Sequence, residues 1–175
     1  MVCRPFETPV QTLWNRMASG SYFPPPVKEV EIAKKDGKTR KPGIPTIADR
    51  IGQMVLKDYL EPRFEEIFST NSYGYRPGKN AHQALASVRD NCRKYDWVID
   101  FDIKGFFDNT DHGKLMLALK KHVSENWCLF YIKRWLNAPV LKKSGELVQK
   151  QGKGNTAGKC NKPVAGQPVS SLCHG

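Results

Sequence analysis

The stretch at residues 97–112, W-V-I-D-F-D-I-K-G-F-F-D-N-T-D-H, decides how the rest of the chain is interpreted. Its first half contains the β-branched or aromatic residues Val98, Ile99 and Phe101, which favour a β-strand. Because strand side chains alternate between two faces, Asp100 and Asp102 would project from the same face. The sequence therefore predicts a strand with two carboxylates on one side.

Two carboxylates on one face of a mostly apolar strand permit two interpretations. A divalent cation between them would offset the cost of removing their charges from water, and oxygen ligands suit magnesium. Alternatively, the segment is a half-exposed edge strand whose acids are solvated. The spacing alone leaves both interpretations open.

Length, composition and charge limit the classes of protein to which the chain can belong. The chain has 175 residues, of which 39% are hydrophobic, so it can bury one core, or one and part of a second. Its 28 basic residues exceed its 17 acidic residues and give a net charge of +11, which indicates a polyanionic partner. The sequence contains no run long or apolar enough to span a membrane, no secretory signal at its start and no convincing basic amphipathic helix. Nucleic acid is therefore the favoured partner, and no membrane association is expected.

The cysteines and histidines give little support for a metal or disulfide site. Five cysteines are scattered along the chain without a C-x-x-C pair, and the four histidines are equally dispersed. An odd, scattered set argues against a disulfide framework and against a zinc site. It fits a reducing compartment.

A basic hairpin is predicted in the first quarter of the chain. Residues 27–33 alternate apolar and charged side chains, residues 35–38 form a turn signal, and residues 39–41 would return as the second strand. The hairpin carries five cations: Lys34, Lys35, Lys38, Arg40 and Lys41. They are either solvated turn charges or groups that close over a phosphate chain.

The remaining pattern alternates helices with short strands. Apolar spacing predicts helices at residues 11–17, 47–60, 80–95, 112–122 and 125–136. Pro62 either ends the second of these helices or starts a next turn through Phe64 and Ile67. Thr46 and Asn80 are the predicted caps of two of them, and residues 109–111 are predicted to cap the helix at 112–122. A second hairpin is predicted at residues 140–150 around Ser144, Gly145 and Glu146. The loop at residues 69–79 either stacks on bases through its tyrosines and cations or is a packed structural loop.

Five blocks, in order, carry a family resemblance. They are S-G-S-Y-F-P-P-P-V-K-E-V-E-I, G-I-P-T-I-A-D-R-I-G-Q-M-V, L-E-P-R-F-E-E-I-F, S-Y-G-Y-R-P-G-K-N-A-H and D-F-D-I-K-G-F-F-D-N-T-D-H. Over residues 14–153 the chain resembles a group II intron-encoded reverse transcriptase, also called a maturase. The resemblance implies an α+β fold, an incomplete right-hand polymerase in which a β-hairpin and helices pack on a small antiparallel sheet. It divides the chain into a fingers-like region at 1–93, a partial palm at 94–153 and an aberrant tail at 154–175.

The resemblance also implies an activity and its residues. Such enzymes are RNA-directed DNA polymerases that join nucleotides by in-line phosphoryl transfer between two metal ions, here Mg²⁺. Asp102 matches the metal-binding aspartate of the first palm motif, and the backbone carbonyl of Ile103 a further ligand. Asp100 ranks second, because it is not the family's usual ligand. The other matched positions are Lys34 and Arg40, which grip the triphosphate, Phe107, which excludes a 2′ hydroxyl, and Ile44, which lies near the templating base.

The implied partners are an RNA template, intron RNA, a DNA primer and a deoxynucleoside triphosphate, in a bacterial-type cytoplasm. The family continues with T-P-Q-G-x-V-I-S-P-L-L-A-N-L, then a Y-A-D-D turn that supplies further metal ligands, a thumb and a maturase region. The printed sequence contains none of these. The chain alone is therefore expected not to polymerise.

The tail offers an explanation for the missing block. When residues 155–169 are back-translated and read from the second base of each codon, the shifted codons permit T-P-Q-G-[N/S]-V-I-S-P-L-L-A-N-L. One extra base near the codons for Gly154 and Asn155 would produce this pattern. We therefore expect a frameshift there and a fragment of the family's protein.

Two further functions remain as alternatives to a polymerase fragment. The basic fingers could act as a surviving RNA-binding module. The chain could also be a remnant without function, whose exposed strand edges and apolar helix faces favour aggregation.

Overall fold

The computed structural model describes residues 8–33, 37, 39–103, 105–149 and 152–154. These residues form an α+β fold, as predicted. Within them the helices are α1 (Pro9–Ala18), α2 (Ile47–Ile67), α3 (Ala81–Cys92), α4 (Phe106–Asn109), α5 (His112–His122) and α6 (Asn126–Leu136). The strands are β1 (Val27–Glu29), β2 (Ile32–Ala33), β3 (Thr39–Arg40), β4 (Gly43–Ile44), β5 (Val140–Leu141) and β6 (Leu147–Val148).

The predicted helix caps are confirmed. Thr46 Oγ1 accepts a hydrogen bond from the Asp49 amide at 3.3 Å, and Asp111 Oδ1 accepts one from the Lys114 amide at 3.0 Å. Asn80 forms a reciprocal capping box with Gln83, at 2.9 and 3.0 Å. Each cap satisfies an amide that has no partner inside its helix, which fixes where the helix begins.

Helix α2 runs past the end predicted at residue 60 and includes Pro62. The proline lacks the amide that would bond to the carbonyl of Asp58. Both residues lie on the exposed side of the helix, where water can satisfy that carbonyl, while Leu60 and Phe64 are buried in the core. Burial of the inner face therefore outweighs the lost hydrogen bond.

The sheet corrects the predicted strand pattern. In the described part of the chain, four strands follow the order β4-β1-β5-β6, and β2 pairs separately with β3. The pair β1–β5 is parallel, with Val27 opposite Val140, whereas β1–β4 and β5–β6 are antiparallel. The sheet is thus mixed, and the prediction of an antiparallel sheet is wrong. The reason is that β5 returns beside β1 after five intervening helices, a long-range pairing that no local pattern encodes.

The two predicted hairpins are present in shortened form. The predicted strand at residues 27–33 divides into β1 and β2, and β2 pairs antiparallel with β3. Strand β4 lies between Pro42 and Pro45, and the sequence did not predict it. The second hairpin is β5–β6, closed by a turn at Gly145 with φ of +84°.

One core joins α1, α2, α5 and α6. Its buried residues are Leu13, Tyr22, Leu56, Leu60, Phe64, Leu115, Leu119, Val123, Cys128, Tyr131, Ile132, Trp135 and Leu136. Gly52 allows the helices to approach closely, because an added Cβ would lie 3.1 Å from both Met17 Sδ and Trp135 Cζ2. The core crosses the position, residue 93, at which the family resemblance divides fingers from palm. That division remains a prediction.

The helices differ in how much of their apolar surface is covered. Helix α6 buries one face, whereas its Trp127 and Phe130 stay partly exposed. Helix α3 buries none of its residues, and its Leu85 and Val88 are 65% and 55% exposed. Among the described residues, no helix has the length and apolarity needed to cross a membrane.

Candidate catalytic segment and its surroundings

The acidic segment does not form the predicted strand. Residues 97–103 have no regular secondary structure, and both Asp100 and Asp102 are exposed. Their apolar neighbours are exposed too, with Trp97 at 89% and Ile99 at 86%. The β-branched and aromatic composition indicated a strand, but a strand is stable only beside another strand or against a covering face. In the described structure, no strand of either sheet pairs with this segment.

A tight turn follows the segment and positions Phe107. Gly105 adopts φ of +65°, a left-handed conformation that glycine adopts without steric cost, and begins the short helix α4. Phe107 is half-buried, and its ring meets that of Phe106 edge-on at 5.4 Å. Thr110 Oγ1 donates to the Phe106 carbonyl at 2.6 Å and closes the turn. The predicted sugar-contacting residue is therefore held by local contacts.

A backbone clamp anchors the residues after α4. The His112 amide donates to the Gly152 carbonyl at 3.0 Å, and the Gly154 amide donates to the Thr110 carbonyl at 2.9 Å. The buried His112 ring adds a hydrogen bond between Nε2 and the Gly154 carbonyl at 2.7 Å. Nε2 must be the donor in this bond, because a carbonyl can only accept. Sequence reasoning missed this role of His112, although the histidine directly follows the capping Asp111.

The charge of Asp111 is stabilised where α5 begins. The backbone amides of Lys114 and Gly113 lower the pKa of the Asp111 carboxyl, with smaller contributions from the charges of Lys114 and Lys153. Lys153 also pairs with Asp111 through an isolated antiparallel bridge. This carboxylate thus acts as a helix cap in the clamp.

The predicted fingers residues are only partly described. Ile44 lies half-buried in β4, opposite Lys28 of β1. The backbone of Arg40 lies in β3 opposite Ile32. Lys34 lies outside the described residues, as does the side chain of Arg40. Their predicted grip on a triphosphate stays a prediction.

The oxygen donors near residue 102 have the chemistry that Mg²⁺ prefers. However, among the described residues no group of three or more His, Cys, Asp or Glu side chains is placed to hold a metal ion. Asp102 and the Ile103 carbonyl would be two ligands of a larger set. The described residues alone do not complete a metal site, so we assign no catalytic step to a metal here.

The loop at residues 69–79 is organised by Arg76. Its guanidinium contacts the Glu65 carboxylate through Nε at 3.0 Å and Nη2 at 2.6 Å. Nη1 donates to the carbonyls of Ser69 and Ser72 at 2.6 and 2.9 Å, and the group lies over the Phe68 ring. Arg76 thus holds the loop against the end of α2, which favours the packed-loop interpretation for this residue. Tyr75 of the same loop is 61% exposed.

A buried aspartate that the sequence did not single out joins α2 to its neighbours. Asp49 is 1% exposed and accepts hydrogen bonds from Tyr22 Oη at 2.7 Å and Trp135 Nε1 at 3.1 Å on the same oxygen. Its second oxygen accepts from Thr46 Oγ1 at 2.7 Å. Burial, and then the adjacent Asp49, raise the pKa of the Tyr22 hydroxyl. The sequence contained one indication of this role, because Asp49 lies on a face of the predicted helix that also carries apolar residues.

Arg134 fixes the segment that leads from α1 to the sheet. Its guanidinium lies 3.8 Å from the Phe23 ring centroid and 3.9 Å from that of Phe130. Nη1 donates to the Gly20 carbonyl at 2.8 Å. This cation is therefore engaged in packing. Fewer basic side chains are therefore available to a nucleic acid than the net charge of +11 indicates.

Comparison with known proteins defines the class. The sequence model of the family described as reverse transcriptase (RNA-dependent DNA polymerase) matches residues 32–165, and the chain belongs to this family. The match includes the segment with Asp102, the turn at Gly105, helix α4 and the clamp. Class membership therefore rests on the same residues whose geometry is described above.

The chain is also similar to individual curated proteins, two of which have names that refer to introns. The group II intron-encoded protein LtrA of Lactococcus lactis subsp. cremoris is 32% identical over 136 residues, which are 77% of this chain and 23% of LtrA. Protein YkfC of Escherichia coli K12 is 37% identical over 121 residues, 66% of this chain and 32% of YkfC. Nuclear intron maturase 1 of Arabidopsis thaliana mitochondria is 33% identical over 114 residues, 65% of this chain and 16% of that protein. The chain thus spans a third or less of the length of these relatives.

Proposed function

We propose that the chain carries the fingers and the first part of the palm of a group II intron-encoded reverse transcriptase. The observation that carries this proposal is the family match over residues 32–165, together with the similarity to LtrA. The function of the whole protein would be RNA-directed DNA synthesis, with a role in intron splicing and mobility. It would act in a bacterial-type cytoplasm.

Within that function, Asp102 is the proposed metal-binding carboxylate and Ile103 contributes its backbone carbonyl. A bound Mg²⁺ ion would supply charge neutralisation for phosphoryl transfer. Exposure of Asp102 supports the assignment, because a ligand must be reachable by the nucleotide and the metal. Lys34 and Arg40 would hold the triphosphate as a point charge and a two-pronged donor.

Phe107 and Ile44 have proposed roles in selecting nucleotides. A bulky aromatic ring under the sugar rejects a 2′ hydroxyl by steric clash, and Phe107 is held for such a role by Phe106 and the Gly105 turn. Ile44 would pack near the templating base. The proposed partners are an RNA template and intron RNA, a DNA primer and a deoxynucleoside triphosphate.

Primer extension with two proteins tests the proposal. The 175-residue chain is expected to show no template-dependent synthesis beyond that of its Asp102→Ala variant, because its described residues do not complete a metal site. The protein from a gene with one base deleted near codons 154–155 is expected to extend the primer. In that protein, Asp102→Asn should reduce the rate at least a hundredfold.

Two results would contradict the expectation that the 175-residue chain is an inactive, frameshifted fragment. One is synthesis by the 175-residue chain that Asp102→Ala abolishes. The other is a coding sequence whose codons for residues 155–169 do not permit T-P-Q-G-x-V-I-S-P-L-L-A-N-L in the shifted frame. The second result would refute the frameshift and leave the family membership intact.

A second candidate function is RNA binding without catalysis, which the net charge of +11 favours. Filter binding of a group II intron RNA should then weaken steeply with salt, since each phosphate contact releases counterions. The matched comparison is a basic protein of equal size and charge. Affinity for intron RNA no greater than that of the comparison protein would reject specific binding.

A further inference from the structure

His112 is a buried histidine whose ring is only partly satisfied by hydrogen bonds. It is 9% exposed, and Leu115 and Leu119 follow it on the buried face of α5. In the described part of the chain, Nδ1 of the ring is buried and has no hydrogen-bond partner. An unpaired buried nitrogen is costly, and an apolar side chain at this position would avoid the cost. The bond from Nε2 to the Gly154 carbonyl is therefore the contact that explains a histidine here.

Gly154 is held through both of its backbone groups. It adopts φ of +83°, a conformation that glycine reaches without steric cost but shares with many alternatives. Its amide donates to the Thr110 carbonyl at 2.9 Å, and its carbonyl accepts from His112 at 2.7 Å. Without the His112 bond, the described contacts would hold the glycine through its amide alone.

A series of hydrogen bonds continues from Gly154 to the candidate catalytic segment. Thr110, whose carbonyl accepts from the Gly154 amide, donates from Oγ1 to the Phe106 carbonyl at 2.6 Å. The Phe106 amide in turn donates to the Ile103 carbonyl at 3.3 Å. The position of the Ile103 carbonyl, and of the turn that follows it, is therefore linked to the position of Gly154.

We propose that His112 is a positioning residue for the incoming nucleotide. By holding the Gly154 carbonyl, it fixes the turn that carries the Ile103 carbonyl and the Phe107 ring. A carbonyl oxygen has two lone pairs, so the bond from the Phe106 amide orients the Ile103 oxygen and leaves a lone pair for an ion. The inference rests on the proposed function and adds that the choice between deoxynucleotide and ribonucleotide depends on His112, acting through the turn.

Rejection of a 2′ hydroxyl by steric clash depends steeply on where the Phe107 ring lies. A displacement of about 1 Å can change a rate about a hundredfold when geometry decides the reaction. Loss of the His112 bond would let the turn move and would relieve the clash. A side chain that only stabilised the fold would instead lower the incorporation of both sugars equally, through a smaller folded fraction. The ratio of the two rates therefore separates the two roles.

Amide hydrogen exchange in the 175-residue chain tests the coupling without any catalysis. In His112→Leu, the amides of Phe106 and Gly154 should exchange about tenfold faster, because the Gly154 carbonyl loses its donor. His112→Gln should restore exchange to within about threefold, since its amide nitrogen lies as many bonds from Cα as the imidazole Nε2 and can donate to the same carbonyl. Exchange at the buried Ile132 reports opening of the core and should stay unchanged in both variants.

His122→Leu is the matched control for residue type and helix. His122 lies at the other end of α5, where its ring centroid is 6.2 Å from that of Phe64. The described hydrogen bonds that link residue 154 to residue 103 do not include it. The substitution should therefore leave exchange at Phe106 unchanged.

Nucleotide selection is measured in the protein from the gene with one base deleted near codons 154–155. We expect His112→Leu to lower the ratio of kcat/KM for a deoxynucleotide to that for the matching ribonucleotide by about tenfold. His112→Gln should return the ratio to within about threefold of its original value, and His122→Leu should leave it unchanged. In a Phe107→Ala background, His112→Leu should lower the ratio no further, because both changes act on the same clash.

Four results would overturn this inference alone. They are unchanged exchange at Phe106 in His112→Leu, an equal rise at Ile132, a His112→Gln variant that behaves like His112→Leu, and equal losses of deoxynucleotide and ribonucleotide incorporation in an active protein. A frame-restored protein that incorporates neither nucleotide with His112 intact would instead refute the proposed function, and this inference with it.

Discussion

Asp49 and Asp102 lie in opposite environments, the first buried in the core and the second exposed on the surface. Asp49 is 1% exposed and accepts hydrogen bonds from Tyr22, Thr46 and Trp135. Asp102 is exposed, in a segment without regular secondary structure. The first carboxylate joins separate elements of the fold, while the second is available to a ligand.

The difference follows from what each region packs against. Helix α2 lies between α1 and α6, so a polar group on its inner face must be satisfied by protein donors. Residues 97–103 are not covered by any strand in the described structure, and Asp100 and Asp102 are exposed. Substitutions in the first region should therefore reduce stability, whereas substitutions in the second should not.

The largest expected effect is that of Asp49→Ala. The change leaves the Tyr22 hydroxyl and the Trp135 indole N–H buried without their acceptor, at a cost of about 3 kcal/mol in the free energy of unfolding. Urea denaturation followed by circular dichroism measures it. Asp58→Ala, at an exposed position of the same helix, is the control and should stay within about 0.5 kcal/mol. Equal effects at the two positions would contradict the comparison.

Arg76→Ala should have the next largest effect. Its guanidinium is bonded to a carboxylate and two carbonyls, and losing these bonds should cost about 2 kcal/mol. The loop at residues 69–79 should also become more sensitive to limited proteolysis. Arg89→Ala on α3, where the side chain is 67% exposed, should change neither quantity. If the rate of proteolysis within residues 69–79 were the same in Arg76→Ala as in the unchanged chain, contacts other than those of Arg76 would hold the loop.

Alkaline pH should weaken the core through Cys128. Burial raises the pKa of the Cys128 thiol to about 12, whereas an unfolded chain ionises near its ordinary value. The unfolded state therefore loses its proton first, and the free energy of unfolding should fall as pH rises, by about 1.5 kcal/mol between pH 8 and pH 10. Urea denaturation at both pH values measures this change. In Cys128→Ala the fall should be smaller by that amount, and an equal fall in both proteins would exclude the thiol as its source.

Substitutions in the exposed segment should have the smallest effect on stability. Asp102→Asn and Ile99→Ser should each change the free energy of unfolding by less than about 0.5 kcal/mol in dilute solution. The reason is that neither side chain is buried. A loss above about 1 kcal/mol for either variant would show that residues 97–103 pack against the rest of the fold.

Helix positions were largely predictable because their signals are local. Thr46, Asn80 and Asp111 cap the helices at which they were expected, and α5 covers the predicted residues 112–122. Pro62 left two possible ends for α2, and the structure extends the helix to Ile67 because burial of Phe64 outweighs the missing hydrogen bond. The strand predicted around Asp100 and Asp102 was wrong, because strand formation depends on a partner elsewhere in the chain.

The sequence by itself determined the family, the helices and the identity of the candidate residues. Ordered motifs, capping residues and apolar spacing are all properties of neighbouring residues along the chain. Only the tertiary structure decided that β1 pairs with β5, that Asp49 is buried among three donors and that residues 97–103 stay exposed. These features depend on contacts between distant segments, and such contacts form only when the core has brought those segments together.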